Sequence, residues 1–271
     1  MMLHFSVLLS LYHKESPDFL CQSLDSIFNQ TLMPDEVVLV EDGPLTKELT
    51  KVVNAYCKKY SLLKIVPLEK NYGLGKALNE GLKHCSYELV ARMDTDDIAK
   101  PTRFEKQLGK FVEYPELDVC GSWIDEFEED ISQVLSVRKL PKEHENIVQY
   151  AKKRCPINHP VVMFRKSAIL AAGGYQHFPL FEDYYLWVRM MMNGAKFYNI
   201  QESLLFFRFS PEMFKRRGGW KYALDELRFQ NRIRGMKFIS YLEFIRNVFS
   251  RFFIRIIPNS CREIIYKNIL R

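Results

Sequence analysis

Several signatures of other protein classes are missing from this sequence. Its six cysteines (21, 57, 85, 120, 155 and 261) form no CxxC pair, which argues against a zinc site or a disulfide framework and for reduced thiols in a cytoplasmic protein. The opening MMLHFSVLLSLYHKE has no basic n-region and no small-residue cleavage site, so it reads as a first β-strand and not as a secretory signal. No internal repeat and no low-complexity linker is present. No hydrophobic run makes a comfortable membrane span either: the most apolar stretch, ISYLEFIRNVFSRFFIRIIP (239 to 258), is interrupted by Arg246, Arg251 and Arg255.

What is present fits a globular enzyme-sized chain. With 271 residues, 47% of them hydrophobic, it suits one large α/β domain or a domain with an appendage. The net charge of +6 hides an asymmetry. Residues 211 to 271 hold 14 Lys+Arg against 5 Asp+Glu, whereas residues 1 to 210 hold 25 against 28. A basic tail can bind nucleic acid, an anionic membrane or an acidic partner, and composition alone does not choose. The apolar positions between the tail arginines fit an amphipathic helix lying on an anionic leaflet, or one packed on the domain or on a second subunit.

Short apolar runs alternate with helical patterns: FSVLLSLY, EVVLVED, LKIVPL and YELVARMD are expected strands, with helices over 17 to 30, up to Tyr60, and across GKALNEGLKHC. Strands this apolar argue a parallel sheet covered by helices on both faces. Ligands bind such sheets beyond the carboxyl ends of the strands. Tyr12, His13 and Glu15, then Glu41 and Asp42, then Lys70 and Asn71, then Asp94 to Asp97 are therefore expected on one rim. Further on, LDVCGSWI, VVMF and SLLFFRF read as strands. SAILAAGGY reads as a short helix stopped at Gly173-Gly174, and FEDYYLWVRMMMNG as a helix with Glu182 and Asp183 in its first turn, where the helix dipole favours an ionised carboxylate.

The sharpest chemical feature is ARMDTDDIAKP. Three carboxylates within four positions repel one another unless a cation compensates them. A calcium loop is disfavoured by Ile98, Ala99 and Pro101 at positions where an EF-hand needs a ligand, a glycine and an open loop. A phosphatase-type nucleophilic Asp would normally follow the first strand, and here the cluster follows the fourth. A solvated acidic turn capping the helix begun at Pro101 remains open. Mg²⁺ or Mn²⁺ bridging the phosphates of a nucleotide explains the cluster better.

In order, SVLLSLYHKE, VVLVEDG, KNYGLGKALNEGL, VARMDTDD with PTRFEKQ, NHPVVMFRKSAILAAGGY, FEDYYLWVRMMMNG and LLFFRFSPEMFKRRGG resemble the motifs of family 2 glycosyltransferases over about residues 4 to 220. The resemblance implies an α/β GT-A fold, a mostly parallel central sheet flanked by helices, over residues 1 to 215, with the basic helical extension 216 to 271 added. It implies an inverting transfer of a hexose, galactose or glucose, from a UDP-sugar to a lipid-linked acceptor such as GlcNAc-diphospho-undecaprenol. The enzyme would sit peripherally on the cytoplasmic face of a bacterial membrane, with no nucleic acid as partner. Site residues carry over as follows. Tyr12, Glu15 and Asp42 would hold nucleobase and ribose, and Asn71 and Lys76 would lie along the nucleotide. Asp94 and Asp96 would hold Mn²⁺ or Mg²⁺, with Asp97 supporting the loop. Asp183 would be the general base, or Glu182 if the register shifts by one. His159, Gly174 and Tyr175 would lie on the acceptor side, with Tyr175 or Trp187 as a sugar-stacking face. Relatives often have a His two residues after the position of Arg208; Ser210 stands there, so Arg208, Arg216 and Arg217 are expected to bring charge to the phosphates. A nucleotidyltransferase or a non-catalytic membrane adaptor is the alternative.

Overall fold

The computed structural model describes residues 3 to 209 and 219 to 256, with side chains to 250. Four parallel strands come first: β1 (Phe5–Leu11), β2 (Glu36–Glu41), β3 (Leu63–Pro67) and β4 (Leu89–Arg92). Between them run α1 (Pro17–Phe28), α2 (Lys47–Lys59) and α3 (Leu74–His84). Ser16 caps α1 ahead of Pro17 and Thr46 caps α2, each hydroxyl accepting the backbone N–H three residues on. Helical crossovers force the parallel pairing, so all four strands end on one rim.

Beyond β4 the sheet mixes antiparallel and parallel pairing. β8 (Met163–Arg165) runs antiparallel to β4, β6 (Val119–Phe127) antiparallel to β8, and β9 (Phe197–Arg208) parallel to β6. β5 (Ile98–Ala99) closes the far side against β9, and β7 (Ser136–Arg138) pairs with β6. The order is β3-β2-β1-β4-β8-β6-β9-β5. The other helices are α4 (Arg103–Glu113), α5 (His144–Ala151), α6 (Lys166–Ala171), α7 (Glu182–Met192), α8 (Gly219–Gly235) and α9 (Tyr241–Ile256).

Side chains alternate across the sheet and build a core on each face. Val7, Leu9 and Leu11 of β1 meet Leu20, Leu24 and Ile27 of α1 on one face. Leu8, Val38 and Val40 meet Leu78 and Leu82 of α3 and Trp187 of α7 on the other. A third apolar cluster joins α7 (Phe181 beside it, Tyr184, Tyr185, Val188) to Tyr222, Phe229 and Ile233 of α8.

Three sequence expectations need adjusting. β9 starts at Phe197, six residues before the expected SLLFFRF run, because the register with β6 shifts after Ser122 and the strand continues through the polar Gln201 and Glu202. α5 lies in a region where no helix was expected. The helical extension is broken between Gly235 and Tyr241, where Lys237 takes a positive φ. The expected division at 215/216 falls outside the described residues. α8 is nonetheless packed on the domain, and Asn247 of α9 donates to the Lys152 carbonyl at 2.7 Å.

Candidate active site

The three aspartates after β4 lie together. Asp94, Asp96 and Asp97 each offer an oxygen within 4.8 Å of the others. The protein supplies part of the compensating charge itself. Arg92, buried at the end of β4, makes a two-point contact with Asp94, Nη1 to Oδ2 at 2.7 Å and Nη2 to Oδ1. Residues i and i+2 of a strand share a face, and that spacing was the available signal for Arg92, which sequence reasoning left as strand interior. Arg103 of α4 donates to the Arg92 carbonyl at 2.6 Å, fixing the strand end from behind. Burial, then the neighbouring Arg92, pushes the Arg103 guanidinium down to about 9, still charged at neutral pH.

These cations do not complete the compensation. Burial first, then Asp94 and Glu15, pushes Asp96 up to about 7. Asp97 is raised well above its ordinary value by burial and then by Asp96. Its Oδ1 accepts the Arg208 N–H at 2.8 Å, while Oδ2 is buried with no partner. A surplus of buried negative charge and an orphaned carboxylate oxygen suit a hard divalent cation with oxygen ligands. Asp96 and Asp97 have the more open ligand positions, since both Asp94 oxygens are engaged by Arg92. Asp97 thus enters the candidate ligand set, beyond its expected supporting role.

Neighbouring loops are tied to this cluster. Glu15 accepts from Ser16 N at 2.8 Å and from Thr95 Oγ1 at 2.9 Å, which couples the end of β1 to the aspartate loop; burial raises its pKa. Asp42, buried after β2, accepts Tyr72 N at 2.7 Å and Gly73 N at 3.0 Å. It therefore sets the approach to α3, and each oxygen keeps a second lone pair for a ligand. Tyr12, Asn71 and Lys76 are exposed on the same rim, with Lys70 and Lys76 both over the Tyr72 ring.

Arg208 requires a correction. Its Nε donates to the Asp96 carbonyl at 3.0 Å, Nη1 to the Glu128 carbonyl at 3.3 Å and Nη2 to Gln22 Oε1 at 2.6 Å. Phe19 and Phe127 lie 3.8 and 4.5 Å from the guanidinium carbon. So engaged and buried, it fastens the aspartate loop to β9 and α1 and is not available to reach phosphates. Arg216 and Arg217 lie outside the described residues.

The acceptor-side expectations are also modified. His159 Nε2 and the Tyr175 hydroxyl are hydrogen-bonded at 2.9 Å, and both residues are buried. Burial, then Arg92, lowers His159 well below its ordinary pKa, so it is neutral. Trp187 is fully buried against His159 and Phe197. None of the three presents an open stacking face; they form the floor beneath the site. Asn79 holds the Tyr175 backbone at both ends, donating to its carbonyl at 2.7 Å and accepting its N–H at 2.8 Å. Gly174 beside it has φ +63°, and a Cβ there would come within 2.7 Å of Asn79 Oδ1.

Glu182 and Asp183 open α7, both half-buried. Burial, then Asp183, raises Glu182, and His177 Nδ1 lies 3.7 Å away. Asp183 Oδ2 accepts from the Cys155 thiol at 3.7 Å, a partner that sequence spacing did not reveal. Burial raises the Tyr175 pKa, and Arg92, Asp183 and Asp94 all act on it electrostatically.

A mostly parallel α/β sheet flanked by helices, with a carboxylate cluster at the strand ends, is the arrangement of the GT-A fold. Solved structures show that fold: S. aureus TarS residues 1–349 with UDP (TM-score 0.62, 20% identity, covering 98% of this chain and 87% of that one) and the Pyrobaculum calidifontis mannosyltransferase PcManGT with GDP-Man and Mn²⁺ (TM-score 0.64, 16%, 92% and 69%). The chain belongs to glycosyl transferase family 2, whose model matches residues 6–170. It is 43% identical, over 98% of its length and 96% of the relative's, to the UDP-Gal:alpha-D-GlcNAc-diphosphoundecaprenol beta-1,3-galactosyltransferase of Escherichia coli. It is 40% identical to the amylovoran biosynthesis glycosyltransferase AmsE of Erwinia amylovora, covering 97% of this chain and 98% of that one. Family membership sets aside the nucleotidyltransferase and adaptor alternatives.

Proposed function

We propose that this glycosyltransferase moves galactose from UDP-galactose to the 3-hydroxyl of N-acetylglucosamine on a diphospho-undecaprenol carrier, forming a β1,3 linkage in surface polysaccharide synthesis. The observation that carries this is the 43% identity to the Escherichia coli galactosyltransferase across nearly the whole of both chains. Asp42, Glu15 and Tyr12 hold the uridine, and Asn71 and Lys76 follow the nucleotide along the rim. Asp96, with Asp94 and Asp97, would hold Mn²⁺ or Mg²⁺, which when bound stabilises the negative charge developing on the leaving diphosphate.

Asp183 accepts the proton of the acceptor hydroxyl as that oxygen bonds to the anomeric carbon and the bond from that carbon to UDP breaks, its electron pair leaving with UDP. The Cys155 thiol, hydrogen-bonded to Asp183 Oδ2, orients the carboxylate. Attack opposite the leaving group inverts the anomeric centre.

Membrane-surface docking on the cytoplasmic side accompanies this function. It is supported by the outward face of α9, where Tyr241, Leu242, Ile245 and Phe249 are exposed beside Arg246. Among the described residues no helix is long and apolar enough to cross a membrane. The test is a donor screen with Mn²⁺ and synthetic GlcNAc-diphospho-lipid. UDP release and a β1,3-linked disaccharide are expected with UDP-galactose; a product only with UDP-glucose would reassign the donor, and no product with any UDP-hexose would remove the acceptor assignment.

A further inference from the structure

Beside the acceptor-side loop, α7 and α8 line an open cavity of about 530 Å³, with Gln176, Tyr185, Arg189, Asn231 and Arg232 in its wall. Two guanidiniums converge there on one phenol: the Arg189 and Arg232 guanidinium carbons lie 4.7 and 5.8 Å from the Tyr185 ring centroid. One turn earlier on α8, Arg228 has a carboxylate partner, Asp225 at 2.9 Å. Arg189 and Arg232 have none among the described residues. Arg189 donates to the Ala172 carbonyl and, at 2.7 Å, to the Gly174 carbonyl, and Arg232 donates to the Tyr185 hydroxyl at 2.9 Å. Like charges held this close around a cavity favour an anion between them.

The surroundings narrow down which anion. Asp183 and Arg189 both stand on α7, six positions and roughly 9 Å of axial rise apart, so the cavity adjoins the helix that carries the proposed base. Under the proposed function the donor diphosphate belongs with the aspartate cluster, and none of Asp94, Asp96 and Asp97 lines this cavity. Along the outer face of α8, Trp220, Leu224, Arg228 and Arg232 recur every four residues and all are exposed, the first two apolar and the last two cationic. Such a face suits a ligand with a hydrocarbon chain at one end and phosphate at the other.

We propose that this cavity is the subsite for the diphosphate of the lipid-linked acceptor, with Arg232 and Asn231 as its direct ligands and Arg189 as the fixed cation behind them. Because Arg189 also holds the Gly174 carbonyl, diphosphate binding steadies the loop that carries Tyr175. The proposal rests on the acceptor assigned under Proposed function.

The test uses the full-length enzyme in detergent with two soluble acceptors, a short-chain alkyl GlcNAc-diphosphate and an alkyl GlcNAc glycoside lacking phosphate. Arg232→Gln is expected to raise KM for the diphosphate acceptor by about tenfold or more. KM for UDP-galactose and the slow transfer to the phosphate-free acceptor should be unchanged. Arg232→Lys should recover much of the loss. An unchanged diphosphate-acceptor KM in Arg232→Gln, or an equal loss with the phosphate-free acceptor, would overturn the proposal. So would lost binding to anionic phospholipid vesicles with an unchanged soluble-acceptor KM, which would make the ligand a lipid headgroup. Wild-type enzyme that cannot glycosylate the diphosphate acceptor would instead sink the functional reading itself.

Discussion

Asp183 and Asp97 are both carboxylates of the proposed active site, yet their surroundings suit them to different tasks. Asp183 sits half-buried at a helix N-terminus; Asp183→Asn is expected to lower kcat by about 10²- to 10⁴-fold, with KM for the donor little changed, in a UDP-release assay. Glu182→Gln should cost far less, and equal losses would move the base to Glu182. Asp97 is buried with one oxygen orphaned. In metal-free protein Asp97→Asn should be close to neutral for stability, because burial already favours the uncharged form there. If Asp97 contributes to the cation site, the same variant loses much of the Tm gain that Mn²⁺ gives the wild type. Asp96 adds a pH dependence. Its folded pKa of about 7 lies above its ordinary 3.8, so the folded state binds the proton more tightly than the unfolded chain does. The stability this confers is full below about 3.8, falls as pH rises, and is gone above about 7. Metal-free protein should therefore have a higher Tm at pH 5 than at pH 8 as far as this site is concerned, and the Mn²⁺-induced Tm gain should grow over the same interval; a gain independent of pH would contradict it.

Among the elements, α7 and α8 connect packing to chemistry. Phe229 of α8 is fully buried, with its ring centroid 5.0 Å from Phe181 and 4.6 Å from Tyr184, the residues bracketing Glu182 and Asp183. Phe229→Ala is expected to cost about 3–5 kcal/mol in urea denaturation and to lower kcat as well, since the start of α7 loses its support. A stability loss with kcat untouched at a temperature where the variant is folded would separate the two. α3 shows the reverse constraint. At Gly81 a Cβ would come within 2.7 Å of Val40 Cγ2, so Gly81→Val should destabilise by about 1–3 kcal/mol or more by forcing the helix off the sheet.

For the molecule as a whole, residues 1 to 210 are slightly acidic and residues 211 to 271 basic, and under the proposed function the second region serves placement on the membrane. Leu242 is 78% exposed and Ile245 44%, large apolar surfaces on a helix whose other side is tied to the domain through Asn247. Replacing both with Ser should weaken co-sedimentation with anionic vesicles while leaving kcat on a detergent-soluble acceptor intact. Added salt should weaken vesicle binding of the wild type further, as charges near a surface are screened within a Debye length of ~8 Å at physiological ionic strength. Undiminished vesicle binding by the double variant would assign that face to protein contacts.

How much of this was legible in the sequence follows from the range of the interactions involved. Apolar runs such as FSVLLSL and EVVLVE, with Pro and hydroxyl caps between them, determine local strands and helices, and crossover helices then force the parallel pairing. That is why the rim of Tyr12, Glu15, Asp42 and Asp94 to Asp97 could be read in advance. Arg208 was misjudged because its partners, Gln22, Asp97 and Glu128, are 80 to 186 residues away and a cation's availability depends on who already holds it. The same holds for the His159–Tyr175 pair, the Cys155 thiol beside Asp183, and the Arg189 and Arg232 guanidiniums gathered at the Tyr185 ring. Backbone preference and periodicity are properties of neighbours along the chain, whereas burial, charge compensation and the shape of a cavity exist only once distant segments have met.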